Sequence, residues 1–299
     1  MDKESINDIL FFNMFGNGDL HYSREFVKFF SSKIGLPAKY HHRKCSGLLR
    51  DIPGVEFQGS FPFPIADTNP IGLFQVDQTL LFSTWIGQEG CKWLNPDGCT
   101  IRNNYKFYLE HAKVFGIQIP EEKEFIPTID YSKYHIDSIK ISKDKNILIC
   151  NGPALSGQSR NFDMSSVIVA LAQKHPSCRF FVTQGMPTPF ENIIDLNLMI
   201  DTNGLSNLNE ISYVSLFCDI IVGRGSGPFC FTHVKENLYD KNKTYLVMGN
   251  QEREGNWVTM SDYGDPNCAK QIWIDSSYRV ETNMFNIVDG EINEKFGNR

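Results

Sequence analysis

Short apolar runs along the chain alternate with stretches whose apolar residues recur at helical spacing. Residues 9–15 form an apolar run closed by Gly16, which reads as a strand. Over 22–34, Phe26, Phe29, Phe30 and Ile34 fall at helical spacing, so a helix is expected with the Phe stripe in the core. AKYHH (38–42) reads as a short strand. Residues 45–57 read as a short helix, a turn at Pro53-Gly54 and a further strand. Residues 60–75 are rich in Pro and Phe and are expected to be irregular. TLLFSTWI (79–86) is a candidate strand, and 103–115 a candidate helix.

Between 117 and 145, charges and prolines dominate and the apolar period fades, as at an interdomain crossing. The alternation then restarts. NILICNG (146–152), CRFFVTQ (178–184), DIIVG (219–223), TYLVMG (244–249) and QIWID (271–275) read as strands. Residues 165–175, 207–217 and 281–296 read as helices, as does the chain beyond the turn at 224, with Asp163 or Ser165 capping the first. Such alternation predicts an α/β fold with parallel sheets and helices on both faces. Two Rossmann-like domains are expected, 1–135 and 136–299, with a cleft between the carboxyl ends of their sheets. Ligands of open α/β sheets bind at those ends.

The length of 299 residues suits two such domains. Hydrophobic residues at 41% and charged residues at 21% are ordinary for a globular protein. Aromatics reach 13%, with 23 Phe, which suits large cores and flat sites for rings. The net charge of −6, with no long Lys/Arg block, argues against tight nonspecific nucleic-acid binding but leaves room for a local basic groove. The eight Cys form no C-x-x-C pair and read as reduced thiols rather than a zinc site or a disulfide frame. The acidic, polar start is unlike a signal peptide, and no apolar run is long enough to span a membrane, so a cytoplasmic protein is expected.

Four loops fall at strand carboxyl ends: GNGDLH (16–21), NGPALSGQSRN (151–161), Gln184-Gly185 and GRGSGP (223–228). The last opens a helix, whose backbone N–H groups favour an anion. There Gly225 and Gly227 permit close approach, Arg224 adds a positive charge and Ser226 a hydroxyl, a chemistry suited to a diphosphate. The bland alternative is an ordinary tight turn. GNGDLH is no dinucleotide fingerprint, because His21 stands where the third glycine belongs, and no G-K-[ST] makes a phosphate loop. Asp19 at a helix start could be a cap, and His21 a packing residue. His41-His42 comes without H-E-x-x-H or a carboxylate cluster, so no metal site is expected.

Together these residues resemble the GT-B glycosyltransferases, and most the heptosyltransferase-like (glycosyltransferase family 9-like) group. Gly18-Asp19 matches the family's first "GD" turn, whose Asp is catalytic. ILICNGPALSGQSRNF matches its second-domain strand and donor loop, and LNEISYVSLFCDIIVGRGSGP its "L-x-E" helix and donor-phosphate turn. Arg224 and Ser226 stand near where the family carries an acidic residue and a Thr, and Gln158, Ser159 and Arg160 replace its basic loop residue. The resemblance implies a glycosyltransferase that needs no metal or bound cofactor and inverts the anomeric carbon. Its second domain would hold a nucleoside-diphosphate sugar through Gly152, Pro153, Gln158, Ser159, Glu210, Gly223, Arg224, Gly225, Ser226 and Gly227. The first would take the acceptor, with Asp19 as base and His21 as second candidate, on a turn freed by Gly16 and Gly18. Glycan, lipid-linked sugar, protein or modified nucleic-acid base are the acceptors admitted. The alternatives are a noncatalytic sugar- or nucleotide-binding protein, and a sugar-nucleotide epimerase or hydrolase.

Overall fold

The structure, a computed structural model, describes residues 5–42, 47–59, 61, 72–85, 100–137, 139–142, 144–155, 160–202, 205–249 and 268–297. The chain divides into two compact units, Met1–Lys133 and Tyr134–Arg299.

In the first unit, β1 (Asp8–Asn13), β2 (Ala38–His42), β3 (Val55–Phe57), β4 (Leu73–Val76) and β5 (Thr79–Ser83) form one sheet in the order β3-β2-β1-β5-β4. All pairs are parallel except the β4–β5 hairpin. The chain steps from β1 to β2 and β3 on one side, then returns to pair β5 against the other flank of β1. The carboxyl ends of β1 and β5 are therefore the switch point of this sheet. At 73–75 the chain is strand β4 where an irregular stretch is expected, while 60 and 62–71 lie outside the described residues. Asp77 turns the hairpin at φ 51 without a glycine to announce it.

The helix expected over 22–34 is Arg24–Ile34, and a short helix, Asn17–Tyr22, precedes it, the two meeting at Ser23. Gly35 ends the second in the left-handed conformation, φ 70. The Phe stripe packs as expected: Phe26 and Phe30 are fully buried, and Phe26 stacks on Tyr108 of the Thr100–Val114 helix at 3.9 Å. Phe11 and Phe82, paired across β1 and β5, complete this aromatic core. Beyond it, Phe125, Ile126 and Ile129 are buried, and Lys28 donates to Thr128 O, so this stretch of the expected crossing packs on the first unit.

In the second unit, β6 (Asn146–Cys150), β7 (Arg179–Val182), β8 (Ile193–Asp195), β9 (Ile220–Arg224), β10 (Thr244–Gly249) and β11 (Lys270–Asp275) form a parallel sheet, β11-β10-β9-β6-β7-β8. Their near-continuous apolar sequences are those of strands covered on both faces. One face, with Ile147, Ile149, Phe180, Val222 and Leu246, packs against the Ser165–Lys174 and Val280–Phe296 helices. On the other, Phe229 of the Gly227–Phe231 helix lies against Gly223, where an added Cβ would meet its ring at 2.3 Å. β6, β7 and β8 run outward one way and β9, β10 and β11 the other, so the switch point lies between β6 and β9.

Five cysteines, Cys150, Cys178, Cys218, Cys230 and Cys268, are free and buried, while Cys45, Cys91 and Cys99 lie outside the described residues. Among the described residues no helix is long and apolar enough to cross a membrane.

Candidate functional site

At the second switch point, β9 ends in Arg224 and β6 runs into the 151–162 loop. Arg224 is 1% exposed, and burial pulls its pKa below the usual guanidinium value. Its Nη1 donates to Arg160 O (3.2 Å) and Asn161 Oδ1 (3.0 Å), and its Nη2 to Phe162 O (3.1 Å) and Asn151 O (3.5 Å). The guanidinium also lies over the Phe162 ring, 5.1 Å from its centroid. Asn161 in turn accepts from Ala154 N–H and donates to Ala154 O. Asn151 makes the same two-way pairing with the backbone of Gln184, beyond β7. A net of side-chain amides and one guanidinium thus knits three strand ends into one rim.

The expected donor residues fall on or near this rim, with different surroundings. Gly152 is partly buried and Pro153 exposed on the loop; Gln158 and Ser159 lie outside the described residues. Gly223 is the close-packing glycine under Phe229, and that contact accounts for it. Ser226 opens the Gly227–Phe231 helix, and its buried Oγ finds no hydrogen-bond partner among the described residues. Pro228 at the helix start removes one of the first-turn N–H groups, leaving fewer donors there than a glycine-rich turn suggests. Glu210 is 1% exposed in the Leu208–Ser215 helix, and its Oε1 accepts His135 N–H at 3.1 Å.

At the first switch point, Asp19 is the third residue of the Asn17–Tyr22 helix, and its Oδ2 accepts Gly16 N–H at 3.2 Å. A Cβ at residue 16 would lie 3.2 Å from that oxygen, so glycine gives the cap room. Gly18 occupies the first turn of the same helix. His21 is 0% exposed, with its ring against Tyr22.

Sequence reasoning passed over two further features at this edge. Phe15 and Trp85, just beyond β1 and β5, stack with centroids 3.6 Å apart and planes at 17°. Beneath them, Tyr40 OH lies 2.8 Å from Thr84 Oγ1 and 3.2 Å from Ser23 Oγ, in a buried hydroxyl network that includes Asn13. Burial holds the Tyr40 phenol well above its ordinary pKa, and the nearby Asp19 charge adds to this. Among the described residues no three His, Cys, Asp or Glu side chains stand together as metal ligands would.

No protein-family model matches the chain, and no curated protein does. Solved structures match it almost end to end. The E. coli heptosyltransferase WaaC with ADP matches over 96% of this chain and 99% of its own, with TM-score 0.52 at 8% identity. The iron-containing dodecameric glycosyltransferase TibC from enterotoxigenic E. coli matches over 98% of this chain and 80% of its own, with TM-score 0.52 at 10% identity. The chain shares the GT-B fold of these heptosyltransferase-type proteins. Within that GT-B fold, Asp19 and the 151–162 rim stand at the carboxyl edges of different sheets, each at its sheet's switch point.

Proposed function

We propose that the chain is a glycosyltransferase that moves a sugar from a nucleoside-diphosphate sugar to an acceptor hydroxyl, inverting the anomeric carbon and using no metal ion. The observation that carries this reading is the fold shared across nearly the whole of both chains with a heptosyltransferase whose solved structure contains ADP. In this reading the second unit takes the donor at the β6/β9 switch point. The Gly225–Gly227 backbone and the partly buried Gly152 approach the diphosphate, with the Arg224 charge beneath. Oriented amides and a fixed positive charge can stabilise a departing diphosphate without a cation. The first unit takes the acceptor, and Asp19 accepts the hydroxyl proton as that oxygen attacks. The sugar–phosphate bond breaks as the new glycosidic bond forms.

A second reading, a noncatalytic nucleotide- or sugar-binding protein, is favoured by two observations. Asp19 already accepts a hydrogen bond from its own helix start, and His21 has no exposed surface.

Thermal unfolding with ADP, GDP, UDP and their hexose or heptose conjugates tests the donor reading. A compound at 100 times its dissociation constant should stabilise the protein by about 2.7 kcal/mol. Transfer to a sugar acceptor, unchanged by a chelator, supports the enzyme. Binding without turnover against any acceptor supports the second reading, and cleavage without acceptor a hydrolase. No response to any of these compounds overturns both.

A further inference from the structure

We propose that Arg224 is a positioning residue: it holds the two ends of the loop after β6, 151–155 and 160–162, in their receiving shape and does not itself touch the donor's phosphates. The role assigned to the loop rests on the donor reading above; the clamp itself does not.

The geometry points this way because the guanidinium is already spent. Both terminal nitrogens donate to the loop, at its start through Asn151 O and at its end through Arg160 O, Asn161 Oδ1 and Phe162 O. Among the described residues only Nε finds no partner, and that atom is buried. A phosphate could reach Arg224 only by displacing carbonyls that hold a buried charge, and an unpaired buried charge is strongly disfavoured. The clamp continues beyond the arginine. Asn161, fixed by Nη1, pairs both ways with the Ala154 backbone, so one side chain on β9 governs both arms of the loop. The Phe162 ring adds a further contact, its centroid 5.1 Å from the guanidinium carbon. A lysine would keep the charge but could not present paired N–H groups to acceptors spread around a plane. Breaking the clamp should therefore disturb recognition of the whole nucleotide. Losing a phosphate contact would disturb only the phosphate part.

The test uses Arg224→Lys, Arg224→Gln and Asn161→Ala in the full chain. In the absence of ligand, hydrogen exchange at the Ala154 amide should speed up by about tenfold or more in both Arg224 variants, while amides of β6 and β9 stay protected. Calorimetry with ADP, GDP and UDP, each beside its nucleoside, should show equal fractional losses for diphosphate and nucleoside, with no rescue by lysine. Asn161→Ala, which leaves the guanidinium in place, should show the same equal loss, and it serves if the Arg224 variants fail to fold. Unchanged Ala154 exchange overturns the clamp. So does affinity restored by lysine, or a loss confined to the diphosphates. If the native chain binds none of the six compounds, the donor reading fails, while Ala154 exchange still decides whether Arg224 holds the loop.

Discussion

Arg24 and Asp51, 27 residues apart, form an ion pair with both side chains wholly out of water. Arg24 also donates to Leu48 O, and the second Asp51 oxygen accepts Asp130 N–H. The pair therefore joins the first turn of the Arg24–Ile34 helix to the turn before β3 and to the end of the first unit. Removing one partner from a buried pair leaves the other charge uncompensated. Asp51→Leu should cost the first unit about 3–5 kcal/mol. Arg24→Met with Asp51→Leu should cost less than the sum of the single changes. Urea unfolding of all three variants checks this. A single-variant loss under about 1 kcal/mol would mean that the pair behaves like an exposed one.

Gly223 and Phe229 give a second expectation. An added methyl would meet the ring at 2.3 Å and Cys150 Cβ at 3.0 Å. Gly223→Ala should cost about 1–3 kcal/mol through overpacking. Phe229→Leu, introduced with it, should recover part of that loss by vacating the ring's edge. If the pair of changes is simply additive, the methyl is accommodated elsewhere.

Arg224, Arg24 and Glu210 mark where the sequence stops being readable. The strands of the second sheet are legible because burial on both faces leaves unbroken apolar runs, as in NILIC and TYLVM. The short β8 and the hairpin strand β4 give no such signal: one has three residues and the other turns on Asp77. Charged side chains are harder still. Their types suggest solvent or ligand, yet these three are buried because acceptors or donors distant in sequence meet them. For Arg224 those are at 151 and 160–162, for Arg24 at 48 and 51, and for Glu210 at 135. Asp19 was legible as a helix-start acid because the Gly-Asp spacing is local.

His233 supplies a pH dependence. It is fully buried against Phe229 and Tyr245, and burial lowers its pKa to about 3. The unfolded chain takes up a proton near pH 6.5 that the folded protein refuses. Between these values the unfolded state binds more protons, so stability falls with falling pH by about 1.4 kcal/mol per unit from this residue alone. His233→Phe keeps an aromatic ring and removes the titration. Stability measured from pH 7 to pH 4 should fall less steeply in this variant, whatever its starting value. Parallel slopes would show that His233 accepts its proton in the folded state.

Asp19 carries the last prediction, because its cap role and its proposed chemical role separate cleanly. Its Oδ2 accepts Gly16 N–H. An amide oxygen can accept the same bond, so Asp19→Asn should keep the helix start while removing the base. Asp19→Ala removes both and should cost about 1 kcal/mol of stability. If Asp19 takes the acceptor's proton, transfer should fall by at least about 10²-fold in both variants. Donor affinity should hold in both, since the rim proposed for the donor belongs to the other unit's sheet. His21→Ala should behave differently. It empties a wholly buried position and should lower the unfolding temperature before any rate effect appears. The decisive comparison is Asp19→Asn against the native chain at matched donor saturation. Near-normal transfer with an unchanged unfolding temperature would leave Asp19 a cap and nothing more. The base would then have to be sought elsewhere on the carboxyl edge of the first sheet.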